Sequence, residues 1–499
     1  MRTSVRAVQA LALLAGFYLI ALGCLAALAA VDVLILTHSD TVGSAGGLKL
    51  VGVTLLVAIP LLRGVFFVRR PKDVAPPGVS VSEQQQPELW ARVRTLADQV
   101  GTRAPAEIRL IPAVNAAVSE NPRLLGLIPG HRRMLIGVPL MIGLTEPQLD
   151  AVLAHELGHY SNRDTRLAGI TVRGRQSLIA VVQHARAGGR HVTASLFARY
   201  ANLYIRVSES VGRRQELAAD LAAARIAGRD HAAAALRQLP ALDAAYDFYL
   251  DRYAGVGWDA GLLPLAEEFY GGFRSLLGSA QRQEELEKVR REPPVQETSP
   301  YDSHPPITER VAALEALPPD GRTVTGAERP ALAVLRDVAP LFAAVAATAL
   351  SPRAAGKRPV PWPELASGAG RAALVADCAK LTDAAGRALG RPLQSLPDLL
   401  GAIDAGWLDA VRAQLPAAAP AADGPPSDAA ADALRPLVLL ALLDQGRVAF
   451  TQSWEQVLHL DFPDPALREA LGPAVESAVA TPPDTTPLRA LLGTGQPSA

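Results

Sequence analysis

Thr145-Glu146-Pro147-Gln148-Leu149-Asp150-Ala151-Val152-Leu153-Ala154-His155-Glu156-Leu157-Gly158-His159 is the stretch on which the reading of this chain turns. Thr145 suits a helix N-cap, where its hydroxyl accepts from the free N–H groups of the first turn, and Gln148 stands three residues on in the capping-box position. Pro147 is tolerated in a first turn because its missing N–H would have no partner there. Leu149, Val152, Leu153 and Leu157 recur at helical spacing and predict one apolar side. His155 and His159 are four apart, so they project from one face and can meet a single tetrahedral cation. Glu156 lies beside them and can reach a water instead of the ion. The cation would acidify that water, and Glu156 would take its proton and pass it to a leaving amine. Gly158 costs stability inside a helix but permits close approach of another backbone. The bare five residues also fit two surface or core histidines on an Ala/Leu-rich helix.

A catalytic zinc site needs a third protein ligand and an open fourth position. Arg213-Arg214-Gln215-Glu216-Leu217-Ala218-Ala219-Asp220 is a second helical stretch. Glu216 can point from it across to the histidines. Asp220 is one turn on, on the same side, where a carboxylate can orient a metal-binding histidine. Taken alone, the two acids equally fit ordinary charge on a helix surface.

Together these pieces resemble the M48 family of membrane-associated zinc metallopeptidases, which includes the HtpX heat-shock proteases and the Ste24-type CAAX prenyl proteases. Those proteins pair a HExxH helix with a later ExxxD segment, matched here by His155–His159 and Glu216–Asp220. The resemblance implies Glu216 as third ligand of one Zn²⁺ per chain, and it puts the family's Asp five residues after the second histidine on Asp164. Ser303-His304-Pro305-Pro306 with Glu309-Arg310 is similar to a family segment that returns to the active site. By that likeness His304 would stabilise the oxyanion and Arg310 would pair with Asp220. Asn115-Ala116 resembles the family's strand-end Asn-Ala, whose Asn would hydrogen-bond substrate backbone. Without the likeness, His304 reads as a turn histidine in a polar linker and Asn115 as a turn residue.

The resemblance covers roughly residues 85–320 and implies a zincin-type domain with a small sheet, acting on protein or peptide substrates. One departure stands out. Many relatives place further membrane helices between the two metal segments, whereas Ala168 to Val207 carries Arg173, Arg175, Arg186, Arg190 and Arg199. No apolar run of about 20 residues survives there. Amphipathic helices at Gln176–Gln183 and Ala194–Val207, lying against a membrane, are expected instead. Without an enclosing membrane chamber, prenyl-protein processing fits less well.

At the front, the apolar run from Val8 to Leu36 holds Asp32 as its one formal charge, and a second runs from Leu50 to Val68. Spans over about 9–36 and 48–68 are expected, with Arg63 snorkelling to headgroups and Pro60 kinking the second. Arg2 and Arg6 precede the pair, and Arg69, Arg70 and Lys72 follow it. The positive-inside rule then predicts a two-pass protein of the cell membrane, with a cytoplasmic catalytic domain and the lipid bilayer as a partner. The rival reading is a cleaved signal peptide, with Arg2 and Arg6 as its basic start and small residues near Ala26 to Ala30.

Lys+Arg and Asp+Glu are both 49, so no global positive field exists and nucleic acid is not an expected partner. Cys24 and Cys378 are the only cysteines, which excludes a disulfide framework and a thiolate metal site. The expected class is α+β, mainly helical, divided into a membrane hairpin (1–72), a metallopeptidase domain (73–325) and an Ala/Pro-rich helical region (326–499). Within the second part, the pattern predicts a helix over Pro87–Val100, strands at Glu107–Ile111 and Arg133–Gly137, and turns at Asn121-Pro122 and Pro129-Gly130. Trp258 to Leu277 reads as core and Pro359–Pro363 as a linker. Helices are expected around Gly368–Leu389, Leu396–Leu415 and Ala429–Leu443, followed by a frayed tail from Pro482. The leading function is a zinc-dependent endopeptidase acting on membrane-associated or misfolded proteins. A non-catalytic membrane scaffold on the same fold, or a zinc hydrolase of non-peptide amides, are the alternatives; retention of His155, Glu156, His159 and Glu216 favours activity.

Overall fold

Burial alternates along Glu107–Ile111, with Ile108 and Leu110 inside and Glu107 and Arg109 part-exposed, as a strand covered on one face requires. In the computed structural model this strand is β2 of a four-stranded sheet. Residues 78–123, 128–160, 191–294, 305–415 and 428–493 are described, with scattered positions from 12 to 37 and positions 178 and 182. β1 (Val79–Val81) pairs antiparallel with β2, and β4 (Ile128–Gly137) pairs parallel with it, Glu107 opposite Arg133. β3 (Ala116–Arg123) runs antiparallel to β4, and the order β1-β2-β4-β3 leaves it at the edge.

Both strands of that hairpin are longer than their sequence suggests. Asn121-Pro122, expected as a turn, lies in β3 where the register shifts between Asn121 and Arg123, and Pro129-Gly130 falls inside β4. An edge strand tolerates proline at such an irregularity because the lost N–H need not serve a ladder.

Helix α1 (Pro87–Val100) buries Leu89, Trp90, Val93 and Leu96 and stops at Gly101, whose φ of 77° suits a residue without a Cβ. α2 (Val138–Gly143) and α3 (Glu146–Gly158) follow the sheet. α4 (His191–Ala227) absorbs the helix expected at Ala194–Val207 and continues through Glu216 and Asp220, so the two are one element. α5 (Arg229–Phe248), α6 (Ala266–Gly278), α7 (Ala280–Arg291), α8 (Ile307–Glu315) and α9 (Val338–Ala349) come next. α3 packs on α1, α4 and β3. Ala151 and Ala154 of α3, Ala223 and Ala224 of α4, and Val311 and Leu314 of α8 share one core. The alanines of α3 and α4 let those two helices approach closely.

Two compact units interleave along the chain: Met1–Ala244 with Glu284–Ala349, and Ala245–Gln283 with Leu350–Ala499. In the second unit β5 (Leu262–Pro264) pairs parallel with β6 (Arg358–Val360), and Trp362 opens α10 (Trp362–Leu389). Pro359–Pro363 is therefore a strand and a helix start rather than a linker. Tyr249, Tyr253, Tyr270 and Phe273 are fully buried, and a separate leucine-rich core joins the later helices. Cys378 is buried, as expected of a core residue. Beyond Pro482, where fraying was expected, Thr486–Leu492 is helical, with Leu488 and Leu492 inside.

Among the described residues no helix is long and apolar enough to cross a membrane. The span expected over 48–68 lies outside the described residues, and that over 9–36 is described in part. Its described positions are helical, and the Leu13 carbonyl accepts from the Tyr200 hydroxyl of α4 at 2.5 Å.

Candidate metal centre

The N-terminus of α3 is fixed first. The Thr145 N–H donates to Gln148 Oε1 at 3.0 Å, and Arg92 reaches Glu146 at 2.6 Å and Asp150 at 2.9 Å. Glu146, in the first helical turn, also suits the partial positive charge there. At the other end, Gly158 faces Ala219 of α4: a Cβ on Gly158 would stand 3.2 Å from the Ala219 Cα and 3.4 Å from its Cβ. The two helices touch closely there, and a side chain at this position would have to push Ala219 aside by a few tenths of an ångström. The α3 hydrogen bonds end at Gly158, but His159 keeps helical dihedrals (φ −60°, ψ −14°), so the four-residue spacing still aligns it with His155.

Across this contact, Glu216 meets both histidines. His155 Nε2 lies 3.4 Å from Glu216 Oε2, and His159 Nε2 lies 3.6 Å from Glu216 Oε1. The two imidazoles stand edge to face at 86° with centroids 4.8 Å apart. One donor atom from each of the three residues fits within 4.8 Å of the others. Tetrahedral zinc with bonds of about 2.1 Å holds neighbouring donors roughly 3.4 Å apart, so two neutral nitrogens and a carboxylate at these spacings fit the ion.

Behind the donors, Asp220 Oδ1 lies 2.9 Å from His155 Nδ1, which turns Nε2 towards the donor cluster. α8 supplies Arg310, which grips Asp220 with both arms, Nε to Oδ2 at 2.9 Å and Nη2 to Oδ1 at 2.6 Å. Its Nη2 is almost equidistant from the two nitrogens of His155, at 3.3 and 3.4 Å. Asp220 is 2% exposed and Glu216 5%, so the pairing is made in a dry setting. Burial alone would raise the Asp220 carboxyl; the Arg310 fork and His155 outweigh it and hold the group below its ordinary range. Burial also opposes charge on His155, yet its contacts with Asp220 and Glu216 prevail and push it up to about 9. Glu156 is half-buried beside the cluster, and its charge adds to that rise.

His304 and Asp164 lie outside the described residues. Asn115 is exposed just before β3. Its carbonyl accepts from the Gly137 N–H at 2.8 Å and its N–H reaches Ala113 at 2.9 Å, both backbone contacts. Gly137 is obligatory there, since a Cβ would fall 2.0 Å from the Ala113 oxygen.

Two residues around the site escape the sequence reading. Tyr160, next to His159, donates its hydroxyl to the Val118 carbonyl of β3 at 2.5 Å, and its own carbonyl accepts from Thr102 Oγ1 at 3.1 Å. The buried Arg132 guanidinium lies 4.7 Å over the Tyr160 ring and is held by Thr102 at 3.0 Å and Glu120 at 3.2 Å. A basic run, His131-Arg132-Arg133, carries no sign that its middle residue is the buried one; only strand alternation from Met134 backwards could have suggested it.

Residues 83–317 match the profile of peptidase family M48. The chain is 29% identical over 260 residues to a protein named "Protease HtpX homolog" from Thermodesulfovibrio yellowstonii, covering 48% of this chain and 77% of that one. Proteins of the same name from Thermococcus kodakarensis (29% over 170 residues) and Pyrococcus furiosus (30% over 169 residues) each match 31% of this chain. The chain spans 56% of the length of each of these two archaeal relatives. No solved structure matches it. The profile, the relatives and the pairing of HExxH with the Glu216 helix agree in making residues 83–317 similar to peptidase family M48.

Proposed function

We propose that this chain is a membrane-anchored zinc endopeptidase that hydrolyses peptide bonds in membrane-associated or misfolded proteins. The observation that carries the reading is the closure of His155, His159 and Glu216, from two helices, to donor spacings that suit one zinc ion. Bound there, zinc would polarise the scissile carbonyl and acidify the attacking water. Glu156, adjacent to His155 and outside the donor triad, takes the proton of that water and returns it to the departing amine. Asp220 keeps His155 in the orientation that presents Nε2, and Arg310 keeps Asp220 ionised and in place.

By the family resemblance, His304 donates to the oxyanion and Asp164 supports the site from beyond the ligands. An extended substrate adds to the edge of β3, with Asn115 holding its backbone at the strand's beginning. Main-chain pairing of this kind demands little of the side chains, which suits misfolded clients. Anchoring is supported by the two apolar runs with basic outer flanks, and by the exposure of Leu19, Leu22, Val31, Val33 and Leu34 along the first. Those basic flanks support a catalytic domain on the cytoplasmic side.

Metal analysis and casein hydrolysis, run on wild type and Glu156→Gln, test the proposal. Both proteins should hold one zinc per chain, and the variant should turn over on the order of 10²–10⁴-fold more slowly. Equal hydrolysis by the two would remove Glu156 from the mechanism. A zinc-loaded wild type inert towards casein and a peptide library would discard the peptidase reading.

A further inference from the structure

The open edge of β3 does not offer all its outward-facing groups. In an antiparallel pair, residues alternate between those that bond the partner strand and those that turn N–H and C=O away from it. The Gly137 N–H bonds the Asn115 carbonyl, and the register runs on unbroken from Ala116 opposite Ile136 to Glu120 opposite Arg132. Asn115, Ala117 and Ser119 therefore bond towards β4, while Ala116, Val118 and Glu120 direct their backbone groups to the free edge. Among the described residues no strand pairs with that edge.

Tyr160 already occupies one of these groups. Its hydroxyl sits on the Val118 carbonyl, which the alternation independently turns outward. The ring cannot easily leave, because Arg132 covers it and Thr102 holds the Tyr160 backbone. Tyr160 also follows His159 directly, so the residue that fills the acceptor is tied to the metal helix.

We infer that Tyr160 is a specificity-determining residue that ends the substrate-docking edge at Val118, leaving the Ala116 carbonyl as the acceptor that an incoming peptide N–H can use. The inference rests on the peptidase reading above. Tyr160 thereby sets how far along β3 a peptide gains by pairing, and so fixes its register against the metal.

An N-methyl scan tests it. Zinc-loaded Glu156→Gln binds a labelled casein-derived peptide without cleaving it, and each peptide N–H is methylated in turn. Donors facing Ala116 and Val118 lie two residues apart on the peptide. In Glu156→Gln, methylation opposite Ala116 should weaken binding about three- to tenfold, and methylation two residues along, opposite Val118, should cost nothing. In Glu156→Gln/Tyr160→Phe, which keeps the ring under Arg132, the second position should become costly by a similar factor. Two costly positions in Glu156→Gln alone, or the same single position in both proteins, would overturn the inference while leaving the peptidase reading intact. No binding by either zinc-loaded protein would overturn both.

Discussion

The two compact units solve the burial problem in opposite ways. Around α3, α4 and α8 the interior holds His155, Glu216 and Asp220, with Arg132 buried nearby and Arg310 pressed against them. In the second unit the interior is aromatic and aliphatic: Tyr249 lies 5.4 Å from both Phe269 and Phe273, and Leu399, Leu434, Val438 and Val475 fill a separate core. Among its described residues Thr485 and Arg489 are buried and polar, and they bond each other and Asp404. An apolar core asks only for volume, whereas a buried charge must be met by a partner at a definite place. The first unit meets that demand at the histidine cluster and again where Glu120 and Thr102 hold Arg132, the second where Asp404 holds Arg489.

Removing Arg310 should give the largest effect. Arg310→Leu strands the Asp220 carboxylate beside His155, and breaking such a buried pair costs about 3–5 kcal/mol. Urea unfolding should show the loss, and zinc retention on dialysis should fall with it because His155 loses its orienting partner. If stability fell while zinc affinity and hydrolysis were untouched, Arg310 would be a packing element only. The matching change in the second unit is Phe273→Ala, which empties a site with 0% exposure and should also cost about 3–5 kcal/mol. Zinc stoichiometry should not change, since no donor lies in that unit. Loss of metal there would erase the contrast between the units.

Gly158→Ala should act at a smaller scale. Its methyl group would meet Ala219 at 3.2 Å, forcing α3 from α4 at about 1–3 kcal/mol. Because the same contact sets the distance from His159 to Glu216, zinc affinity should drop beyond what the stability change explains. Unchanged affinity would show that the donors adapt to a wider helix spacing.

The difference between the units also decides what could be read from the letters alone. The meeting of His155 with His159 is legible because their four-residue spacing puts both on one helix face, whereas Glu216, which lies beside them, stands out from ordinary helix charge only through the family resemblance. The helix over Pro87–Val100 is legible because its Pro start and Gly stop are local signals. Pro359–Pro363 was misread because β6 exists only by pairing with β5, nearly a hundred residues earlier, and nothing local announces a partner. The Thr486–Leu492 helix was missed for the same reason, its leucines being held by distant helices. Tyr160 and Arg132 left no trace because a tyrosine and an arginine have many uses, and only the fold puts them in register with Val118.

The gentlest test concerns the sheet that carries β3. Glu107 on β2 stands opposite Arg133 on β4 and accepts from its Nε at 2.7 Å, with His131 at 3.2 Å and Arg109 at 3.4 Å. Burial would raise this carboxyl, but Arg133 and His131 outweigh it and hold it below its usual range. A group depressed on folding stabilises the native state above its unfolded pKa, about 4.3 for Glu, and that contribution fades as pH falls through the folded value. Glu107→Gln should therefore be less stable than wild type at neutral pH, by about 1 kcal/mol at most for a part-exposed cluster. The two unfolding curves should converge as the solution is acidified below that range. A gap that persists at low pH would mean that Glu107 supports β2 and β4 through packing rather than charge. Phe273→Ala in the second unit removes no ionisable group, so its gap from wild type should show no matching convergence when it is titrated the same way.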